Sequence, residues 1–225
     1  MSEQNLRSTP FWHHEHRAES RLPVNMVVVI VIALQVSLPR SLNSSFPWFI
    51  CGVEAVLLIL LNLLDPRRIN AHQGWPRNVS LALIATMTLV NLDSVRRLIS
   101  ELLDGGVTVA QSLLLTGGSI WLTNVVIFAL WYWEFDRGGP GARAQAVMPI
   151  PDFMFPQMSD PELAPTHWSS SFFDYLYMSF TNSSAFSPTD VLPLTKWAKA
   201  TMLLQSLTSL VVVALVIARA VNILK

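Results

Sequence analysis

The chain has 225 residues, of which 52% are hydrophobic and only 13% are charged. Its 15 basic and 15 acidic residues cancel, so its charge does not favour nucleic acid or another polyanion as a partner. The mean hydropathy of +0.43 and several apolar stretches near the length of a membrane span predict a multi-pass protein with the lipid bilayer as its solvent. We expect it in the plasma membrane of a prokaryote.

The polar N-terminal segment covers residues 1–21. It is too long and too acidic for the basic region of a cleaved signal peptide, so we expect it to be retained. His13, His14, Glu15 and His16 carry metal-ligating atoms, but no second ligand cluster accompanies them. We therefore favour a solvated segment and predict no metal site and no cofactor.

Three transmembrane helices are predicted within residues 22–104. Prolines after the first two apolar runs mark their ends, because proline cannot continue a helix. The predicted spans are 22–38, 46–64 and 79–103.

Charged residues inside these spans are candidate functional groups. Glu54 lies within the second span, where a proton carrier, an ion site, an arginine partner and a structural hydrogen-bond acceptor are all open readings. Asp93 precedes Arg96 by three residues and Arg97 by four, so we expect a local ion pair on one helix face. Two adjacent arginines are not the spaced series of a voltage-sensing helix.

The rest of the chain predicts a full helix, a half-length helix and a second full helix. The apolar run FFDYLYMSFT is about half a membrane span, and the polar stretch NSSAFSPTD follows it. Non-helical polar backbone at membrane depth must be buried in protein or line a wet cavity, which indicates a pore. The predicted domain covers 107–225, with an outer helix 107–135, a loop 136–171, a pore helix 172–181, a filter-like segment 182–190 and an inner helix 193–224.

Residues 173–195, FDYLYMSFTNSSAFSPTDVLPLT, resemble the pore helix, filter and exit of the potassium-channel-like pore-loop superfamily. The final helix resembles the inner helix of that family as well. The residues that match the family pattern are Ser179, Phe180, Thr181, Asp190, Pro193 and Thr195. The resemblance implies an all-α membrane protein with about five transmembrane helices and one re-entrant half-helix. It also implies that four copies assemble into a homotetramer that conducts inorganic ions passively.

The filter position departs from the family sequence TVGYG. Ala185, Phe186, Ser187, Pro188 and Thr189 stand there, so both glycines are absent. A potassium filter is built from rings of backbone carbonyls, and its glycines take backbone angles that other residues resist. We therefore expect a pore that is not potassium-selective by the usual mechanism.

Four residues of the filter-like segment have two interpretations each. Ser183 and Ser184 either cap the half-helix or line a pore, and Phe186 either packs in a core or closes the axis. Four copies of Asp190 would form an acidic ring that attracts cations, or each would brace a turn through backbone N–H groups. The candidate pore residues are Thr181, Asn182, Ser183, Ser184, Ala185, Phe186, Ser187, Pro188, Thr189 and Asp190.

Three functions follow from these features. The first is a passive ion channel, the second a nonconducting membrane scaffold or regulatory subunit, and the third a proton-coupled transporter that uses Glu54. We find no nucleotide-binding glycine loop, nucleophile elbow or paired carboxylates in the sequence, so we do not expect an enzyme.

Five spans place the N-terminus, the 65–78 loop and the 136–171 loop on one side. That side carries ten basic residues against five opposite, which favours a cytoplasmic N-terminus. The ten are Arg7, Arg17, Arg21, Arg67, Arg68, Arg77, Arg137, Arg143, Lys196 and Lys199, and the five are Arg40, Arg96, Arg97, Arg219 and Lys225. Potassium channels place the half-helix outside. Either a sixth crossing turns at Gly117-Gly118, or the charge count misleads, or the pore module is inverted.

Overall fold

The computed structural model describes residues 11–39, 41–42, 47–64, 74–104, 109–160, 164–184 and 190–223. This part of the chain is mostly helical. Its α-helices are α1 (Leu22–Ser37), α2 (Pro47–Leu64), α3 (Trp75–Leu103), α4 (Ala110–Phe135), α5 (Pro140–Ala144), α6 (Pro156–Ser159), α7 (Phe172–Ser184) and α8 (Lys196–Ile223). Two short strands, β1 (Phe153–Met154) and β2 (Leu192–Pro193), pair in antiparallel fashion.

Three of these helices, α3, α4 and α8, are long and apolar enough to cross a membrane. Helices α1 and α2 are apolar but shorter. The predicted mostly helical fold is confirmed, and the three long apolar helices are compatible with a membrane protein.

Helix α4 lies at the centre of the fold. It packs against α1, α3, α7 and α8, and every residue from Thr123 to Leu130 is buried. Its run through Gly117 and Gly118 is continuous, so the sixth crossing with a turn at these glycines is wrong. A Cβ at Gly117 would lie 2.6 Å from Cγ2 of Val216, which shows that this glycine permits close packing with α8 rather than a turn.

The half-helix α7 has 13 residues and ends at Ser184, so the predicted end at residue 181 is wrong. The polar residues Asn182 and Ser183 continue the helix because side chains of α8 satisfy their hydrogen bonds. The inner helix begins at Lys196 rather than at residue 193 because Leu192 and Pro193 form β2.

The 136–171 loop contains a buried polar centre. Asp136 and Arg137 expose 0% and 1% of their surface. The Asp136 carboxylate accepts hydrogen bonds from the backbone N–H of Asp152 at 2.8 Å and from the Tyr175 hydroxyl, and Arg137 Nη2 donates to Ser170 Oγ at 3.0 Å. Because buried charges are stable only when they are paired and hydrogen-bonded, this centre fixes the loop against α7.

Candidate functional site

The candidate site is α7 together with the segment that follows it, and its first fixed point is the helix N-terminus. The Asp174 carboxylate accepts hydrogen bonds from the backbone N–H and the hydroxyl of Ser171, both at 2.7 Å. Glu19 Oε1 accepts a third from the Phe172 N–H at 2.8 Å. These two carboxylates satisfy orphan N–H groups and lie where the helix dipole is positive.

Glu19 also joins α7 to α4, because its Oε2 accepts a hydrogen bond of 2.6 Å from Trp133 Nε1. Nearby, the carbonyl oxygen of Trp12 accepts a hydrogen bond of 3.4 Å from Arg137. These contacts place the N-terminal segment beside the 136–171 loop. They attach residues 11–21 to the folded structure, whereas His13, His14 and Glu15 are exposed, as expected for a solvated segment.

Tyr175 and Arg143 complete this end of α7. The Arg143 guanidinium lies 4.9 Å from the centre of the Tyr175 ring and donates to the carbonyl oxygens of Trp133 at 2.6 Å and Asp136 at 2.9 Å. The Tyr175 hydroxyl in turn donates to the Asp136 carboxylate.

The second fixed point is the side-chain amide of Gln205, which is completely buried in α8. Its Nε2 donates to the hydroxyls of Ser179 and Ser183, both at 2.6 Å. Its Oε1 accepts from the Tyr132 hydroxyl at 2.6 Å and from Asn182 Nδ2 at 2.8 Å. One amide therefore holds the last two turns of α7 against both α4 and α8.

Asn182 adds a further link between α7 and α8. Its Nδ2 donates to the Met202 carbonyl oxygen at 3.0 Å, and the Ser206 hydroxyl lies 3.2 Å from both the backbone and the side-chain oxygen of Asn182. Met202 and Ser206 lie six and ten residues after the first residue of α8, which corresponds to about 9 to 15 Å along the helix. The end of α7 thus lies well inside the length of α8.

The last residues of α7 differ in their roles. Thr181 and Ser184 bond within the helix, with the Thr181 hydroxyl donating to Tyr177 and Met178 and the Ser184 hydroxyl to the Thr181 carbonyl. Ser183 is buried against Gln205. The capping interpretation therefore fits Ser184, and the pore-lining interpretation of Ser183 stays a prediction.

After the filter-like segment the chain returns to the loop. Leu192 and Pro193 pair with Met154 and Phe153, and the Leu194 N–H donates to the Asp152 carbonyl oxygen at 2.8 Å. The Asp152 carboxylate also accepts from Trp197 Nε1 at 2.8 Å. Both flanks of the segment are therefore fixed, one at the buried end of α7 and the other at the loop.

Ala185, Phe186, Ser187, Pro188 and Thr189 lie outside the described residues, so the hypotheses about them stay predictions. Asp190 is described and exposed. Within the described part of the chain its carboxylate has no hydrogen-bond partner, so the backbone N–H groups expected to brace it are not found among those residues.

The charged residues that the sequence analysis selected in the first three spans lie outside the site around α7. Glu54 exposes 0% of its surface, and the Gln35 amide nitrogen, in the orientation that satisfies both side chains, donates to its two oxygens at 2.7 and 3.3 Å. This contact joins α1 to α2, as does the hydrogen bond of 2.6 Å between Asn25 and Asn62. Glu54 therefore acts here as an interhelical hydrogen-bond acceptor.

The local pairing predicted for Asp93 is confirmed. Arg96 Nη2 lies 2.9 Å and Arg97 Nε 2.7 Å from the carboxylate. Arg96 is largely exposed, so this cluster is a surface feature of α3 rather than part of the site.

No protein-family model, curated protein or solved structure matches this chain. Among the described residues, no group of three histidine, cysteine or acidic side chains is placed to hold a metal ion.

The sequence prediction missed several residues that position α7, namely Glu19, Tyr132, Asp152 and Gln205. A signal for Gln205 was present, because a glutamine within a long apolar helix usually hydrogen-bonds to another helix. Nothing in the sequence paired Glu19 with a helix 153 residues further along the chain.

Proposed function

We propose that this chain forms a homotetrameric pore for inorganic cations, in which each subunit contributes α7, the segment 182–190 and α8. In this proposal α1 and α2 also cross the membrane, giving five spans with α7 as a re-entrant half-helix. The observation that carries the proposal is the attachment of the end of α7 to residues about 9 to 15 Å along α8. Beyond the filter-like segment, Leu192 and Pro193 pair with the loop from which α7 starts.

The depth of α7 supports this proposal. With 13 residues, α7 is about 20 Å long, which is less than the hydrocarbon core of roughly 30 Å. Its N-terminus bonds to loop residues, whereas Asn182 bonds to residues about 9 to 15 Å along α8. If α8 crosses the bilayer, the helix end and the polar residues after it lie at membrane depth, where backbone must be sheltered.

The charges of the site favour cations over anions. The C-terminal end of a helix carries a partial negative charge, and the C-terminal end of α7 leads directly into the filter-like segment. The Asp190 carboxylate is exposed and has no hydrogen-bond partner in the described part of the chain. Four such carboxylates around one axis would form an acidic ring of the kind that attracts cations.

Selectivity for potassium is not part of the proposal. The sequence AFSPT has no glycine, and Pro188 lacks a backbone N–H that could anchor a filter strand. Because these residues suit a stack of carbonyl rings poorly, we expect weak discrimination between potassium and sodium.

Ion flux in liposomes tests the proposal. The purified protein should pass potassium and sodium more readily than chloride, and Asp190→Asn should reduce cation flux while Asp190→Glu retains it. Asp104→Asn is the matched control, because Asp104 is an exposed carboxylate beyond the far end of α3. Flux that is absent under every ion gradient would refute the pore and support a nonconducting scaffold.

A further inference from the structure

A cavity of about 380 Å³ lies between α4, the end of α7 and α8. Its walls are mostly apolar and include Leu114, Gly118, Trp121, Ser184, Val213 and Ile217. We propose that this cavity binds one alkyl chain of a membrane lipid. The inference does not depend on whether the protein conducts ions.

The chemistry of the walls favours a hydrocarbon. The two serines at the end of the cavity already have partners within the protein, since Ser183 accepts a hydrogen bond from Gln205 and Ser184 donates to the Thr181 carbonyl. The remaining surface is aliphatic or aromatic, apart from the indole N–H of Trp121. An apolar occupant gains free energy from leaving water and loses no hydrogen bond on entering such a space.

The cavity lies beside exposed apolar side chains of α4 and α8. Its α4 wall extends from Leu114 to Trp121, which is about 10 Å along the helix. Leu114 and Ile217 at its edge expose 50% and 51% of their surface, and Leu115 beside them exposes 66%. These side chains lie on two helices that are long and apolar enough to span a membrane, so in a bilayer they would lie next to lipid acyl chains.

The two neighbouring glycines of α4 have different surroundings. A Cβ at Gly117 would collide with Val216, whereas a Cβ at Gly118 would have no atom within 4 Å. A glycine inside a helix costs roughly 1 kcal/mol relative to alanine. Packing within the chain explains Gly117 but not Gly118, and an occupant of the cavity would contact the bare backbone at Gly118.

Native mass spectrometry tests the proposal. The full-length protein is reconstituted into phosphatidylethanolamine and phosphatidylglycerol vesicles, extracted in mild detergent, and examined for retained phospholipid. We expect one lipid per chain in the wild type and loss of that lipid in Gly118→Leu, which fills the cavity from α4. Val213→Phe fills the same cavity from α8 and should give the same loss.

Gly52→Leu is the matched control, because a Cβ at Gly52 also has no atom within 4 Å but lies on α2, away from the cavity. It should retain the lipid. Equal retention by the wild type, Gly118→Leu and Val213→Phe would overturn the proposal. So would disulfide linkage of Ile217→Cys between two chains in a Cys51→Ala background, because a second copy would then cover the cavity. A protein that shows no ion flux but loses the lipid on Gly118→Leu retains this inference and refutes only the pore.

Discussion

Replacement of Gln205 by leucine tests whether one buried amide fixes α7. Leucine has a similar volume, so the substitution removes hydrogen bonds without leaving a large cavity. The side chains that lose a partner are Ser179, Asn182, Ser183 and Tyr132. Ser179 and Asn182 retain other partners at Val125 and Met202, whereas the Ser183 and Tyr132 hydroxyls each lose their hydrogen bond to Gln205.

The expected loss of stability follows from these four interactions. Interhelical hydrogen bonds in membrane proteins contribute on average about 0.6 kcal/mol each, so four of them give about 2.4 kcal/mol. A buried polar group left without a partner costs about 1 to 3 kcal/mol. The cost of leaving the Tyr132 hydroxyl without Gln205 is therefore of the same order as that sum. We therefore expect Gln205→Leu to lower the free energy of unfolding by about 2 to 3 kcal/mol.

Unfolding by sodium dodecyl sulfate in mixed micelles, followed by circular dichroism, measures this change. Thr208→Val is the matched control, because the exposed Thr208 hydroxyl donates to the Leu204 carbonyl of its own helix and has no second partner among the residues that the structure describes. We expect the control to change stability by less than about 0.5 kcal/mol. A Gln205→Leu protein as stable as the control would refute the claim that this amide holds the half-helix.

Three further predictions concern other parts of the fold. Glu19→Ala should destabilise the protein by about 1 to 2 kcal/mol in the same assay because the N-terminus of α7 loses a charged acceptor, while Glu15→Ala, at an exposed position, should have little effect. Gly117→Ala should lower the free energy of unfolding by about 1 to 3 kcal/mol because the added Cβ clashes with Val216. Gly118→Ala should leave stability unchanged or raise it slightly. Equal effects of the two substitutions would contradict the close packing of Gly117 against α8. Glu54→Gln should leave ion flux unchanged because glutamine retains an oxygen acceptor for Gln35, and pH-driven uptake abolished by this change would favour the transporter instead.

The long helices could be predicted because their apolar runs and flanking prolines are local signals. The first helix was predicted to within one residue of its end at Ser37, and α3 begins at Trp75 rather than at residue 79 because Pro76 suits the first turn of a helix. The end of α7 was placed three residues early because Asn182, Ser183 and Ser184 are polar, and only their partners on α8 explain why they remain helical.

The contacts that fix the site could not be predicted from local patterns. Tyr132 and Gln205 are 73 residues apart, and the partners Glu19 and Phe172 are 153 residues apart. The strands β1 and β2 have two residues each, so they carry no alternating pattern that would distinguish them from a loop. Such contacts arise from tertiary packing, which one sequence does not encode as a periodic signal.

The central claim is that four copies of the segment after α7 surround one axis at membrane depth. Double electron–electron resonance between spin labels at Asp190→Cys, in a Cys51→Ala background and in lipid nanodiscs, measures this arrangement directly. A four-fold assembly predicts two distances related as the side of a square to its diagonal. A single distance, or no dipolar coupling, would contradict the claim.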